Sequence, residues 1–140
     1  ETSDGADRAA LMFLIDAYEE TDARSGYEDS KHEKEVVLRL HKDLAPIKIA
    51  FLPLSKKEPL TVLTKEIQAK LWGQWMTQYD ETGSIGKRYR RQDEIGTPYC
   101  VTIDFESLED KKVTVRDRDT MQQERVAIKD LKKYFVEKLG

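Results

Sequence analysis

From Ala45 to Leu54 the sequence reads Ala-Pro-Ile-Lys-Ile-Ala-Phe-Leu-Pro-Leu, an almost unbroken apolar run of strand length with a proline near each end. A strand apolar on both sides must be covered on both sides, which points to a layered α/β body. The residues after this run can supply the cover. Leu63, Ile67 and Leu71 form one stripe of a helix over about Leu60 to Gln74, with Trp72 and Trp75 near its end. Trp75 to Asp80 is short enough for a second strand. Gly83 offers a turn, Ser84 suits an N-cap, and Gly96 with Pro98 marks the end of a second helix. Tyr99, Val101, Ile103 and Phe105 then alternate with Cys100, Thr102 and Asp104, which is strand periodicity.

Glu106 to Lys111 reads as a turn. Lys112 to Arg118 alternates again, with Lys112, Thr114, Arg116 and Arg118 on one face and Val113, Val115 and Asp117 on the other. Gln123 to Ile128 supplies a last strand, and Lys129 to Leu139 a closing amphipathic helix with Leu131, Tyr134 and Phe135 inward. The prediction is a three-layer α/β/α domain with a mixed sheet. Ahead of it, Leu11, Leu14, Ile15 and Tyr18 keep helical spacing from about Ala6 to Glu20, while Met12, Phe13 and Ala17 fill the other sides. A helix so apolar belongs inside a larger body than this chain supplies. Thr21 to Glu35 is polar and reads as a connector, and Val36 to Leu44 suits either a short helix or an extended lead-in. The division expected is residues 1–20, a helix of a preceding domain; 21–35, a connector; and 36–140, the α/β domain.

The formal charge of −3 over 140 residues excludes a uniformly basic nucleic-acid-binding domain, so any polyanion site has to be a local patch. One cysteine, Cys100, forms no internal disulfide, and two histidines, His32 and His41, lack cysteine partners, so no metal site is expected. No apolar run approaches the length of a membrane span and no signal-peptide pattern opens the sequence. A cytoplasmic protein with no membrane partner is expected. The first residue is Glu rather than Met, so a processed end, or a start cut from a longer chain, is expected.

The patch is found at Lys87-Arg88-Tyr89-Arg90-Arg91, within the second helix. Such a density of cations suits an anionic partner, with Tyr89 able to stack on a base. A solvated face accounts for it equally well, since Arg90 can pair with Glu94 at i,i+4. Arg116 and Arg118 sit roughly 7 Å apart along one strand face, a spacing for gripping phosphates or base edges. Ion pairs across the sheet with Asp104 or Glu124 are the alternative. If helix and strand converge, they make one cationic cleft with Tyr89, Tyr99 or Phe105 as stacking surfaces. Enzyme motifs are missing: Gly83-Ser84-Ile85-Gly86 lacks nucleophile-elbow spacing, and Gly83 to Lys87 is too short for a phosphate loop. A generic nucleotide-binding domain is disfavoured too, because Pro53 and Lys56-Lys57 stand where such a loop would come after the first strand.

Three stretches, Gly83 to Tyr99, Val101 to Phe105 and Val113 to Thr120, closely resemble the C-terminal anticodon-binding domain of the dimeric, single-chain, class II glycyl-tRNA synthetases. Glu1-Thr-Ser-Asp-Gly-Ala-Asp-Arg8 before an apolar helix is similar to motif 3 of that family. The resemblance implies a five-stranded sheet with one antiparallel strand that receives the anticodon loop, and a preference for cytosines at the second and third anticodon positions. It implies a parent enzyme that joins glycine to its tRNA using ATP with Mg2+, through a glycyl-adenylate, as a homodimer. In that family the residues matching Gly5, Ala6, Asp7 and Arg8 border ATP, and those matching Glu1, Thr2, Ser3, Asp4 and Gly5 line the glycine pocket. Asp4 departs from the small or apolar residue frequent there.

Motifs 1 and 2 are absent, so this stretch on its own is expected to be inactive, to bind no cofactor, and to work with the rest of a catalytic domain. A non-catalytic accessory protein that reuses the domain is the alternative, against which Arg8 speaks. For the anticodon the expected contacts are Arg88, Arg91, Glu94, Tyr99, Arg116 and Arg118. Glu94 is included because a carboxylate accepts from the cytosine amino group.

Overall fold

The computed structural model describes residues 11, 12, 14–22 and 34–140. Its centre is the apolar run: β3 (Ile49–Pro53) is buried at every residue. It lies parallel to β4 (Thr77–Tyr79) on one side and to β5 (Tyr99–Ile103) on the other. β6 (Lys112–Asp117) runs antiparallel to β5, and β7 (Gln123–Ala127) antiparallel to β6. The order is β4-β3-β5-β6-β7, five strands of which only β6 is reversed. The chain steps from β3 to β4 in one direction, then back past β3 to β5. Right-handed crossovers taken in opposite directions put their helices on opposite faces.

The side-chain clusters agree. α1 (Glu58–Leu71) places Leu60, Ile67 and Leu71 against Phe51, Val101 and Val115, in the larger core shared with Leu131 and Phe135 of α4 (Leu131–Leu139). α2 (Ile85–Ile95) covers the other face, where Tyr89 meets Ala50, Leu52 and Cys100. Phe135 takes the rings of Trp75, Tyr99 and Tyr134 edge-on at 5.3–6.2 Å.

Two expectations are corrected. Phe105–Asp110 is a helix, α3, not a turn: Asp104 caps it by accepting the Ser107 backbone N–H at 2.9 Å, while Ser107 Oγ accepts from the Asp104 N–H. The Asp-x-x-Ser spacing is the readable signal, a capping box with serine in the last place. The first helix does not run to Glu20, since Tyr18–Asp22 is strand β1, paired antiparallel with β2 (Lys34–Leu38). Residues 11, 12 and 14–17 are helical, with Leu11, Met12, Leu14 and Ile15 exposed and Ala17 buried. β-branched Thr21, Val36 and Val37 favour the extended form that a helical reading of Leu11 to Tyr18 overruns. The expected connector therefore begins and ends inside a hairpin.

Candidate nucleic-acid interface

The basic helix has the predicted ends. Ser84 Oγ accepts the Lys87 N–H at 3.3 Å, and Gly96 takes a left-handed φ of 84° while its N–H reaches the Gln92 and Asp93 carbonyls. Its inward face carries Arg88, Tyr89, Gln92 and Asp93, all buried. Burying such residues is costly unless most of their polar groups are met. Arg88 donates to the carbonyls of Pro53, Leu54 and Asp80, thereby tying the ends of β3 and β4 together. Burial lowers its pKa, and its Nε has no partner among the described residues. Tyr89 Oη and Thr102 Oγ1 lie 2.5 Å apart, and the Arg116 guanidinium stacks 4.7 Å from the Tyr89 ring centre. Arg116 also donates to both Asp93 carboxylate oxygens, at 3.0 and 3.2 Å. Burial disfavours its charge, yet the Asp93 hydrogen bonds and charge outweigh that and raise its pKa.

At the C-terminal end of α2 a second knot forms. Arg118 donates to the carbonyls of Gly96 and Leu40, each at 2.7 Å, and to Asp119 at 3.0 Å. Asp119 also accepts from Arg39, whose Nε is 2.5 Å from Glu19 of β1. The hairpin is thus pinned to the ends of α2 and β6. Arg39, His41, Tyr99 and Asp117 line a cleft of about 430 Å³ beside this knot.

The predicted contacts therefore do not gather into one cationic cleft. Arg88 and Arg91 stand toward the N-terminal end of α2, Arg116 and Arg118 toward its other end. Arg88, Arg116 and Arg118 are buried and bonded from within, Arg88 through its two terminal nitrogens. Tyr89 is enclosed as well, so it offers no stacking face. Arg91 is half-exposed but bonded to Asp80 at 2.8 and 3.1 Å and to the Thr82 carbonyl. Glu94 is exposed and pairs with Arg90 at 3.7 Å, as its spacing predicted. Tyr99 is half-buried against Phe135. The partners of Arg116 and Arg118 are Asp93 and Asp119, not Asp104 or Glu124. Alternation had correctly put Thr114 and Arg116 on one face; it could not say that α2 lies over that face. Glu1, Thr2, Ser3, Asp4, Gly5, Ala6, Asp7 and Arg8 lie outside the described residues.

What does face solvent lies at the carboxyl ends of β3 and β5, where the strand order reverses. Ligands of open α/β sheets bind at such points. Lys56, Lys57 and Phe105 are exposed there, and Lys87 is exposed in the first turn of α2. Lys57 Nζ sits 5.6 Å from the Phe105 ring centre. Beside Phe105, Arg125 bridges Asp104 at 3.0 Å, Asp110 at 2.8 and 3.0 Å, and Thr114 at 3.3 Å. Lys57 and Lys87 are not among the expected contacts: in the sequence Lys87 reads only as part of the basic run, and Lys57 only as a residue standing where a phosphate loop would come. Phe105 is a predicted stacking surface, but as the last member of an alternating strand and not as the first residue of a helix.

Residues 48–138 match the anticodon binding domain family. A glycine–tRNA ligase of Clostridium acetobutylicum is 55% identical over 99% of this chain, and one of Corynebacterium glutamicum 52% identical over 99%. One of Acetivibrio thermocellus is 58% identical over 96%. The chain spans only 28–30% of the length of these relatives. Among solved structures, the RNA binding domain of threonyl-tRNA synthetase from Cryptosporidium parvum has a TM-score of 0.63 at 26% identity, covering 71% of this chain and 25% of that one. Prolyl-tRNA synthetase from the same organism has a TM-score of 0.67 at 20% identity, covering 74% and 22%, a likeness of fold. With the whole five-stranded sheet inside the matched segment, the chain belongs to the anticodon binding domain family.

Proposed function

We propose that this chain is the anticodon-reading part of a glycine–tRNA ligase, and that the loop is received at the carboxyl ends of β3 and β5. The observation that carries the site is the exposed Phe105 ring backed by Lys57, next to Lys56 and Lys87. An aromatic face with ammonium groups around it suits an unpaired base and its phosphates, stacking alone contributing about 1–3 kcal/mol per base. Arg91 and Glu94 are the members of the predicted set that reach solvent, and they are proposed to touch the loop. Arg88, Arg116 and Arg118 act behind them, fixing α2 on the sheet, and Tyr99 supports the same frame through Phe135.

The remainder of the parent enzyme is proposed on its relatives' name: ATP-dependent attachment of glycine, with Mg2+, in a cytoplasmic homodimer. There Arg8, with Gly5, Ala6 and Asp7, would meet ATP phosphates, where a cation offsets developing charge. Glu1, Thr2, Ser3, Asp4 and Gly5 would enclose glycine. Completing those pockets is the proposed task of the rest of the catalytic domain.

Fluorescence anisotropy with an anticodon stem-loop carrying cytosines at the second and third positions tests the reading. Affinity should exceed that for a loop with those cytosines replaced by about tenfold or more. The logarithm of affinity should fall with salt by about 0.7 per phosphate neutralised. Equal affinity for the two loops overturns it.

A further inference from the structure

On the face of the sheet away from α2, a groove of about 570 Å³ lies between α1 and the start of β6. Leu63 and Ile128 form its floor, and Lys70, Lys111, Lys112 and Lys129 stand on its rim. The fold brings these lysines together from distant parts of the chain. The Ile128 N–H donates to the Lys111 carbonyl at 2.9 Å, and Lys112 is the strand partner of Ala127. Lys70 comes from the last turn of α1. One acid, Asp110, borders the groove, and both its oxygens are taken by Arg125, while Oδ1 also accepts the Lys112 N–H at 2.9 Å. In a chain of net charge −3 this is a concentrated positive patch.

We infer that this groove is a second RNA contact, seating the phosphate backbone of the strand that leads into the anticodon loop. The inference rests on the anticodon reading above and extends it. Charge complementarity names an anion. Four lysines on flexible stems, beside the apolar Leu63, Ala127 and Ile128, suit phosphates and riboses irrespective of sequence. Continuity names the RNA. α3 joins the groove at Lys111 to Phe105 across six residues, about 9 Å of helix. The Arg125 bridge from Asp110 to Asp104 spans the same interval. A strand leaving the loop site over α3 enters the groove directly.

The test compares two double variants of the full chain: Lys111→Gln with Lys112→Gln in the groove, and Lys132→Gln with Lys133→Gln on α4, which removes the same charge elsewhere. All four side chains are exposed, and circular dichroism verifies folding. Salt titrations with the glycine stem-loop should show the slope of log affinity against log salt reduced by about 0.7–0.9 per groove lysine removed. The weakening should be the same for cytosine and substituted loops, and the α4 variant should keep the original slope. An unchanged slope in the groove variant overturns the inference, whatever the unaltered chain's loop discrimination. Loss of discrimination in the unaltered chain instead sinks the anticodon reading. An acidic, leucine-containing peptide that fills the groove and is not displaced by the stem-loop also overturns the RNA assignment.

Discussion

Asp93 and Arg116 meet in a closed double hydrogen bond, 3.0 and 3.2 Å, with side chains only 2% and 3% exposed. The pair joins α2 to β6 beneath the surface where a contact to RNA was expected. Removing one member strands the other's charge. Asp93→Ala should therefore destabilise the chain by about 3–5 kcal/mol in urea denaturation. Arg116→Met alone should cost a similar amount. The double replacement Asp93→Leu with Arg116→Met should recover much of that loss, which a ligand-contact role alone does not predict.

Gly96 ends α2 with φ of 84°, and a methyl group there would sit 2.9 Å from Leu40 Cδ1 and 3.0 Å from the Leu38 carbonyl oxygen. Strain and collision act together. Gly96→Ala should cost about 2 kcal/mol or more. Hydrogen exchange at β2 should rise before exchange at β3, because the hairpin rests on this corner.

Burial pushes the Cys100 thiol up to about 12, with the Arg116 charge opposing only in part. At pH 8 the folded protein should present almost no thiolate. Alkylation should track the unfolding curve in urea rather than precede it, whereas fast labelling without denaturant would show that β5 opens locally.

Asp80 and Asp119 are both held below the usual carboxylate range. Burial pushes each up, but the Thr82 N–H and then Arg91 prevail at Asp80, and Arg118 and then Arg39 prevail at Asp119. A carboxyl depressed in the folded state contributes stability that is fully present above its ordinary value of 3.8 and is lost as pH falls below it. Melting temperature should be flat from pH 7 to 5 and drop below about pH 4. Asp119→Asn should flatten part of that drop, with each pair contributing on the order of 1 kcal/mol or less at these half-open sites.

The strands and helices of the domain, α3 excepted, were legible because burial on both faces, period-two alternation and Ser84/Gly96 punctuation are local properties. The alternation at Lys112 to Asp117 even fixed which residues share a face. It was silent on what covers that face, and this is why Arg116 read as a solvent group when it is a bonded internal one. At Phe105 the alternation ran one residue too far: it extended the strand over the first residue of α3, although the ring is a predicted stacking surface and is exposed. Tyr18 to Asp22 was lost because its partner strand stands at Lys34 to Leu38, and a pairing across that separation leaves no trace in a helical window.

Because Arg88, Arg116 and Arg118 serve as mortar between α2, the sheet and the hairpin, the overall charge of this chain is a poor index of how cationic its surface is. Exchanging any of them for lysine would leave that charge untouched, yet a single ammonium cannot span the two to four carbonyl and carboxylate oxygens each guanidinium now bridges. Such charge-neutral exchanges should loosen the frame, while trading the surface lysines for arginines should leave it standing.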